Sequence, residues 1–124
     1  MSIALGLAAL AALLHVYIWY LESLAWTAPA TRAIFGTTED EAATTRFLAF
    51  NQGFYNLFLA ILVALGIAWY AAGSPVVGRT LAMAGVASML AAALVLGVSS
   101  AAHRKAALRQ GLLPALALAL MVVA

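Results

Sequence analysis

Residues 3–26 read IALGLAALAALLHVYIWYLESLAW, an apolar run that is long enough to cross a lipid bilayer as a helix. His15 and Glu22 interrupt this run, and Glu22 is its only charged residue. Their spacing corresponds to two helical turns, so a regular helix places both side chains on one face, roughly 10 Å apart along its axis. An ionisable group inside a bilayer costs at least about 2.5 kcal/mol and usually serves a function. This pair is therefore the first candidate for a site.

The whole chain has the composition of an integral membrane protein. Of its 124 residues, 67% are hydrophobic and 8% are charged, whereas a soluble domain carries about 25% charged residues. A chain of this size cannot bury so much apolar surface in a water-surrounded core. The net charge of +2 predicts no nucleic-acid partner, because the basic residues lie between the apolar runs. The absence of cysteine excludes disulfides, thiolate metal sites and iron–sulfur clusters.

Charged and turn-forming residues divide the chain into four apolar runs, which predict an all-α, polytopic four-helix bundle in the lipid bilayer. The predicted spans of this single transmembrane domain are residues 3–26, 47–71, 77–101 and 108–124. The last apolar run, Leu112 to Ala124, is short, so three spans with an interfacial tail are the alternative. Pro114 is expected in the first turn of the last helix, where a missing N–H costs nothing.

The predicted loop of residues 27–46 contains the start of the second helix. Thr38 followed by Glu41 matches a capping box, so this helix is expected to begin near Glu39 and to enter the lipid near Phe47. The segment of residues 29–36 is expected to lie along the membrane interface, with Trp26 and Phe35 reaching into the headgroups.

The basic residues predict the orientation. The two loops on one side contain five of them: Arg32, Arg46, Arg104, Lys105 and Arg109. The other side has only Arg79. This bias predicts that the loop of residues 27–46 is cytoplasmic and that both termini lie outside. The expected location is the inner (plasma) membrane.

This topology gathers polar side chains of three helices in the cytoplasmic half of the bundle. Those on the first two spans are Glu22, Asn51, Gln52, Tyr55 and Asn56, with His15 deeper, near mid-membrane. His103 lies at the end of the third span. A metal set of His15, Glu22 and His103 is not favoured, because the two histidines differ in depth by roughly 15 Å of helix rise. No metal or other cofactor is predicted.

Two blocks of sequence resemble a known family. They are YIWYLESLAW at residues 17–26 and, after Phe35-Gly36, NQGFYNLFLA at residues 51–60. Together they resemble the DUF1304 family of small bacterial membrane proteins, whose pattern has a histidine, a Tyr-rich stretch ending in Glu, then Trp, and later Asn-Gln-Gly-x-Tyr-Asn. The resemblance implies that Trp26 belongs with the polar residues above and that His103 is a less certain member. The family name assigns no function. The architecture is also similar in outline to DoxX-like four-helix proteins.

Three functions fit these residues. The favoured hypothesis is binding or transport of a small molecule, with Glu22 as the proton or cation site and His15 as its relay partner. Small four-helix drug exporters also carry one glutamate in their first span, although their dual orientation conflicts with the charge bias seen here. The second hypothesis is a membrane enzyme, an isomerase or quinone-linked oxidoreductase acting on a lipid-like substrate, with His15 and Glu22 as candidate catalytic acid and base.

The third hypothesis is an accessory or structural subunit whose polar layer docks a partner. Stripes of small residues, such as Ala4, Ala8 and Ala12, also make a homodimer plausible, since such stripes let helices approach closely in lipid.

Overall fold

The computed structural model describes residues 1–124 and consists of helices without strands. Four long helices make up most of it: α1 (Ser2–Trp19), α3 (Glu39–Ala71), α4 (Pro75–Ser99) and α5 (Arg104–Val123). Three short elements complete the chain: a π-helical turn (Tyr20–Leu24) that continues α1, α2 (Pro29–Phe35) and a 3₁₀ turn (Ala101–His103). Four helical segments are long and apolar enough to cross a membrane. The prediction of an all-α fold with four membrane-length helices is confirmed.

The four long helices pack in a closed ring. Helix α3 packs on α4, α4 packs on α5, and α1 packs on both α3 and α5. Small and medium-sized apolar side chains fill the centre, including Ala8, Val63, Val86 and Met89. A third or less of each membrane-length window is buried inside the bundle. The large apolar surface left on the outside suits contact with lipid chains rather than water.

Glycine and alanine set the distances between the helices. A Cβ added to Gly66 would collide with the backbone of α4, and one added to Gly78 would collide with the backbone of α3. Such close approach is the main source of helix association in lipid, where no hydrophobic effect acts between helices. The predicted stripe of Ala4, Ala8 and Ala12 is buried. On α4, the small residues Ala84 and Ala92 are exposed and face outward.

The fourth long helix begins earlier than its apolar run. Helix α5 starts at Arg104, and together with the preceding 3₁₀ turn it forms a segment of 23 residues. The last helix is therefore long and apolar enough to cross a membrane, which favours four spans over three spans with an interfacial tail. The expected place of Pro114 in the first turn is wrong, because Pro114 lies inside α5 and is buried. Good helix formers such as Lys105 and Leu108 extend the helix upstream, and membrane helices tolerate an internal proline.

The connection between α1 and α3 is compact. Gly36 ends α2 with a φ of 68°, a left-handed conformation that glycine adopts without strain. The predicted capping box at the start of α3 is present, since Thr38 and Glu41 each accept a hydrogen bond from the other's backbone N–H. With 33 residues, α3 is about 50 Å long and exceeds a hydrocarbon layer of about 30 Å. Helix α3 is therefore longer than a single crossing of the lipid chains requires.

Candidate functional site

The site begins where α1 changes its winding. Residues Tyr20–Leu24 form a π-helical turn that contains Glu22, and the N–H of Ala25 donates to the carbonyl of Tyr20 at 3.0 Å. Single π-helical turns within longer helices occur frequently at functional sites, because the wider turn redirects its side chains. Nothing in the apolar pattern of residues 3–26 signals this change.

A close contact between this turn and α3 positions Glu22. The Ser23 hydroxyl donates to the carbonyl oxygen of Phe50 at 2.8 Å. Gly53 is buried at the contact, and a Cβ there would overlap the Ser23 side chain and lie 3.1 Å from the Cβ of Glu22. The side-chain amide of Asn56 donates to Oε1 of Glu22 at 2.6 Å. The absence of a side chain at Gly53 thus allows the Glu22–Asn56 hydrogen bond to form.

Glu22 also lies on the wall of a cleft with a volume of about 610 Å³. The cleft is lined by residues of the π-helical turn, of the loop that follows it and of α3: Glu22, Trp26, Thr45, Leu48, Ala49, Asn51, Gln52 and Tyr55. Small-molecule sites typically have volumes of about 300–1,000 Å³ and combine apolar walls with a few polar groups. This cleft matches both properties, and its lining contains one carboxylate and no basic side chain.

Trp26 is fixed at the edge of the cleft by neighbours on two sides. Its indole N–H donates to the Thr45 hydroxyl at 3.1 Å, and Thr45 in turn donates to the carbonyl of Glu41 at 2.7 Å. The ring of Phe35 packs against the indole with a centroid separation of 5.0 Å. Trp26 therefore connects the cleft to both α2 and the start of α3.

The structure brings together most of the candidate residues on the first two spans. Glu22, Trp26, Asn51, Gln52 and Tyr55 all line the cleft. Asn56 is not part of the lining and instead holds Glu22.

The two histidines lie elsewhere. His15 is buried, its Nδ1 is 2.8 Å from the carbonyl oxygen of Ala11, and it does not line the cleft. His103 is exposed between α4 and α5, with its Nδ1 2.6 Å from the hydroxyl of Ser100. No group of three or more His, Cys, Asp or Glu side chains is placed to hold a metal ion. The His15–Glu22–His103 metal set therefore has no geometric support, and neither does a direct His15–Glu22 pair.

Some residues of the site were not among the sequence candidates. Ser23 and Gly53 form the contact that positions Glu22, while Thr45, Leu48 and Ala49 add to the lining. Gly53 had a recognisable signal, because a glycine inside a long helix is costly and often marks a close approach of another backbone. Nothing in the local sequence distinguishes the other four.

The fold and the cleft define a small helical protein with four membrane-length helices and one carboxylate-bearing cleft between its first two spans. Residues 9–122 match the family model described as "Protein of unknown function (DUF1304)". The chain belongs to the DUF1304 family, and the matched segment includes every candidate site residue. Comparison with curated proteins and with solved structures gives no match.

Proposed function

We propose that this protein binds a small molecule in the Glu22 cleft, in a binding or transport role, and that Glu22 is the proton-linked group. The observation that carries the proposal is the placement of the Glu22 carboxylate. It lies on the wall of a cleft of about 610 Å³, and the hydrogen bond that holds it comes from the neutral amide of Asn56.

A carboxylate in this place needs a compensating group. Charge that is removed from water is costly unless it is paired, and a neutral amide supplies only part of the compensation. A proton or a bound ligand can supply the rest. Asn56 can donate to an oxygen of Glu22 whether the carboxyl group is ionised or protonated. The side chain can therefore keep its position while a proton and a ligand exchange.

The remaining lining supports binding rather than catalysis. Asn51 and Gln52 offer amides, Tyr55 offers a phenol, and Leu48 adds apolar surface. His15, the expected relay partner, is outside the lining, so the proposal assigns the proton to Glu22 alone. His15 and Glu22, the candidate acid and base of the enzyme hypothesis, have separate hydrogen-bond partners, Ala11 and Asn56.

A stability screen tests this proposal. The unfolding temperature of the purified protein in mild detergent is measured with a library of amines, carboxylic acids and neutral compounds. Glu22→Gln keeps the shape of the side chain but cannot ionise. Glu39→Gln is the matched control, because Glu39 is exposed at the start of α3 and does not line the cleft.

At least one class of compound is expected to stabilise the wild type and the control by several degrees but not Glu22→Gln. The same compounds should release protons from the wild type in weakly buffered solution. If no compound distinguishes Glu22→Gln from Glu39→Gln, the proposal is wrong.

A second candidate is an accessory role, which the exposure of the cleft residues on α3 favours. Asn51, Gln52 and Tyr55 are all exposed, Tyr55 to 53%. Polar groups exposed on a membrane helix can also be covered by another membrane protein. In that case Glu22→Ala should abolish a larger assembly on native gels of gently solubilised membranes. A wild-type protein that migrates alone would oppose this role.

A further inference from the structure

We infer that the ligand of the Glu22 cleft is an amphipathic organic cation, an amine or quaternary ammonium group attached to an apolar body. This inference rests on the proposed function and adds the chemical class of the ligand. The positive group would lie against the Glu22 carboxylate, and the apolar body would lie against Trp26, Leu48 and Tyr55.

The charges of the lining give the first reason. Glu22 is the only carboxylic acid among the lining residues, and no lysine, arginine or histidine accompanies it. An anionic ligand would meet an uncompensated negative charge. A neutral ligand would displace water from the carboxylate without replacing its solvation. A cation is the ligand type that gains from the carboxylate and compensates it.

The aromatic side chains give the second reason. Trp26 and Tyr55 line the same cleft as Glu22. Organic cations bind favourably over aromatic rings, most strongly over tryptophan, and sites for quaternary ammonium groups commonly combine such rings. The indole of Trp26 is held by Thr45 and packed by Phe35. It is therefore a preorganised wall rather than a mobile side chain.

The position of the cleft gives the third reason, which concerns the apolar body. The lining extends along α3 from Thr45 to Tyr55, across the point near Phe47 where the apolar run of this helix begins. Leu48, which lines the cleft, is 68% exposed, and the adjacent Phe47 is 77% exposed. A ligand at this depth contacts both headgroups and lipid chains. A molecule with one charged and one apolar end matches such a boundary.

The test uses two probes of nearly identical shape. Benzyltrimethylammonium is the cation, and neopentylbenzene replaces its nitrogen by carbon and carries no charge. Binding is measured by isothermal titration to the full-length protein in a non-ionic detergent, with wild type, Glu22→Gln and Glu39→Gln in parallel. Tyr55→Leu is added because Tyr55 is exposed and its replacement does not threaten the fold.

The cation is expected to bind the wild type and Glu39→Gln at least tenfold more tightly than it binds Glu22→Gln. It should also bind the wild type at least tenfold more tightly than neopentylbenzene does. Tyr55→Leu should weaken binding of the cation about two- to fivefold, because the aromatic ring is lost.

Equal binding of the two probes, retention of the cation by Glu22→Gln, or no binding of the cation would each overturn the inference. The proposed function would survive any of these results if stabilisation by acids or neutral compounds in the screen still required Glu22. If no compound in that screen required Glu22, both the proposed function and the inference would be wrong.

Discussion

Replacing Gly53 by alanine is expected to destabilise the protein and to disturb Glu22. The added Cβ would overlap Oγ of Ser23 and lie 2.9 Å from the backbone nitrogen of Ser23. The hydroxyl can rotate away but the backbone cannot, so the π-helical turn must move away from α3. Overpacking of this kind costs about 1–3 kcal/mol. Alanine in a helix is favoured over glycine by about 0.5–1 kcal/mol. The net loss in the free energy of unfolding therefore lies between zero and about 2.5 kcal/mol.

Gly6→Ala is the matched control, because Gly6 also lies inside a helix and no atom is within 4 Å of the Cβ that would be added. This variant should gain about 0.5–1 kcal/mol. The difference between the two variants, about 1–3 kcal/mol, isolates the steric effect at Gly53.

Steric trapping in lipid bicelles measures the free energy of unfolding of both variants. The NMR signals of the Asn56 side-chain amide report on its hydrogen bond to Glu22. If Gly53→Ala is as stable as Gly6→Ala and the Asn56 signals do not shift, the reasoning about this close approach is refuted.

Three further predictions concern other parts of the chain. Thr38→Ala removes the capping box of α3 and should lower the stability of this helix end by about 0.5–2 kcal/mol. Hydrogen exchange should become faster in the first turn of α3 but not at its C-terminal end. Trp26→Phe keeps an aromatic ring but loses the hydrogen bond to Thr45, so it should lower the free energy of unfolding by about 0.5–1.5 kcal/mol. An unchanged free energy of unfolding would show that this hydrogen bond contributes nothing to stability. Because the chain has no native cysteine, the single variants Thr44→Cys and Ala72→Cys can test the orientation. An impermeant thiol reagent added to intact cells should label Ala72→Cys but not Thr44→Cys. The reverse labelling pattern would contradict the prediction that both termini are outside.

Much of the fold was predictable because it depends on local or additive properties. Four apolar runs of sufficient length predict four membrane-length helices without knowledge of their neighbours. The start of α3 was predictable from Thr38 and Glu41, since a capping box involves only residues three positions apart. The start of α5 was not, because hydropathy marks where lipid contact begins and does not mark where helical hydrogen bonding begins. Arg104 and Lys105 are polar but good helix formers, so the helix extends past the apolar run.

In the candidate site, too, some features were predictable from the sequence and others were not. The sequence by itself determined that this chain is a helical protein suited to a membrane and that most of its polar candidate residues lie on the first two predicted spans. Only the tertiary structure decided which of these residues lie together. His15 and Glu22 share a spacing that suggests a pair, yet His15 is buried in the bundle while Glu22 contacts Asn56 and lines the cleft. The physical reason is that helical periodicity defines the direction of a side chain relative to its own helix axis. The environment that this side chain meets depends on how the next helix crosses. Here the π-helical turn redirects the side chains after Trp19, and Gly53 lets α3 approach Ser23 closely.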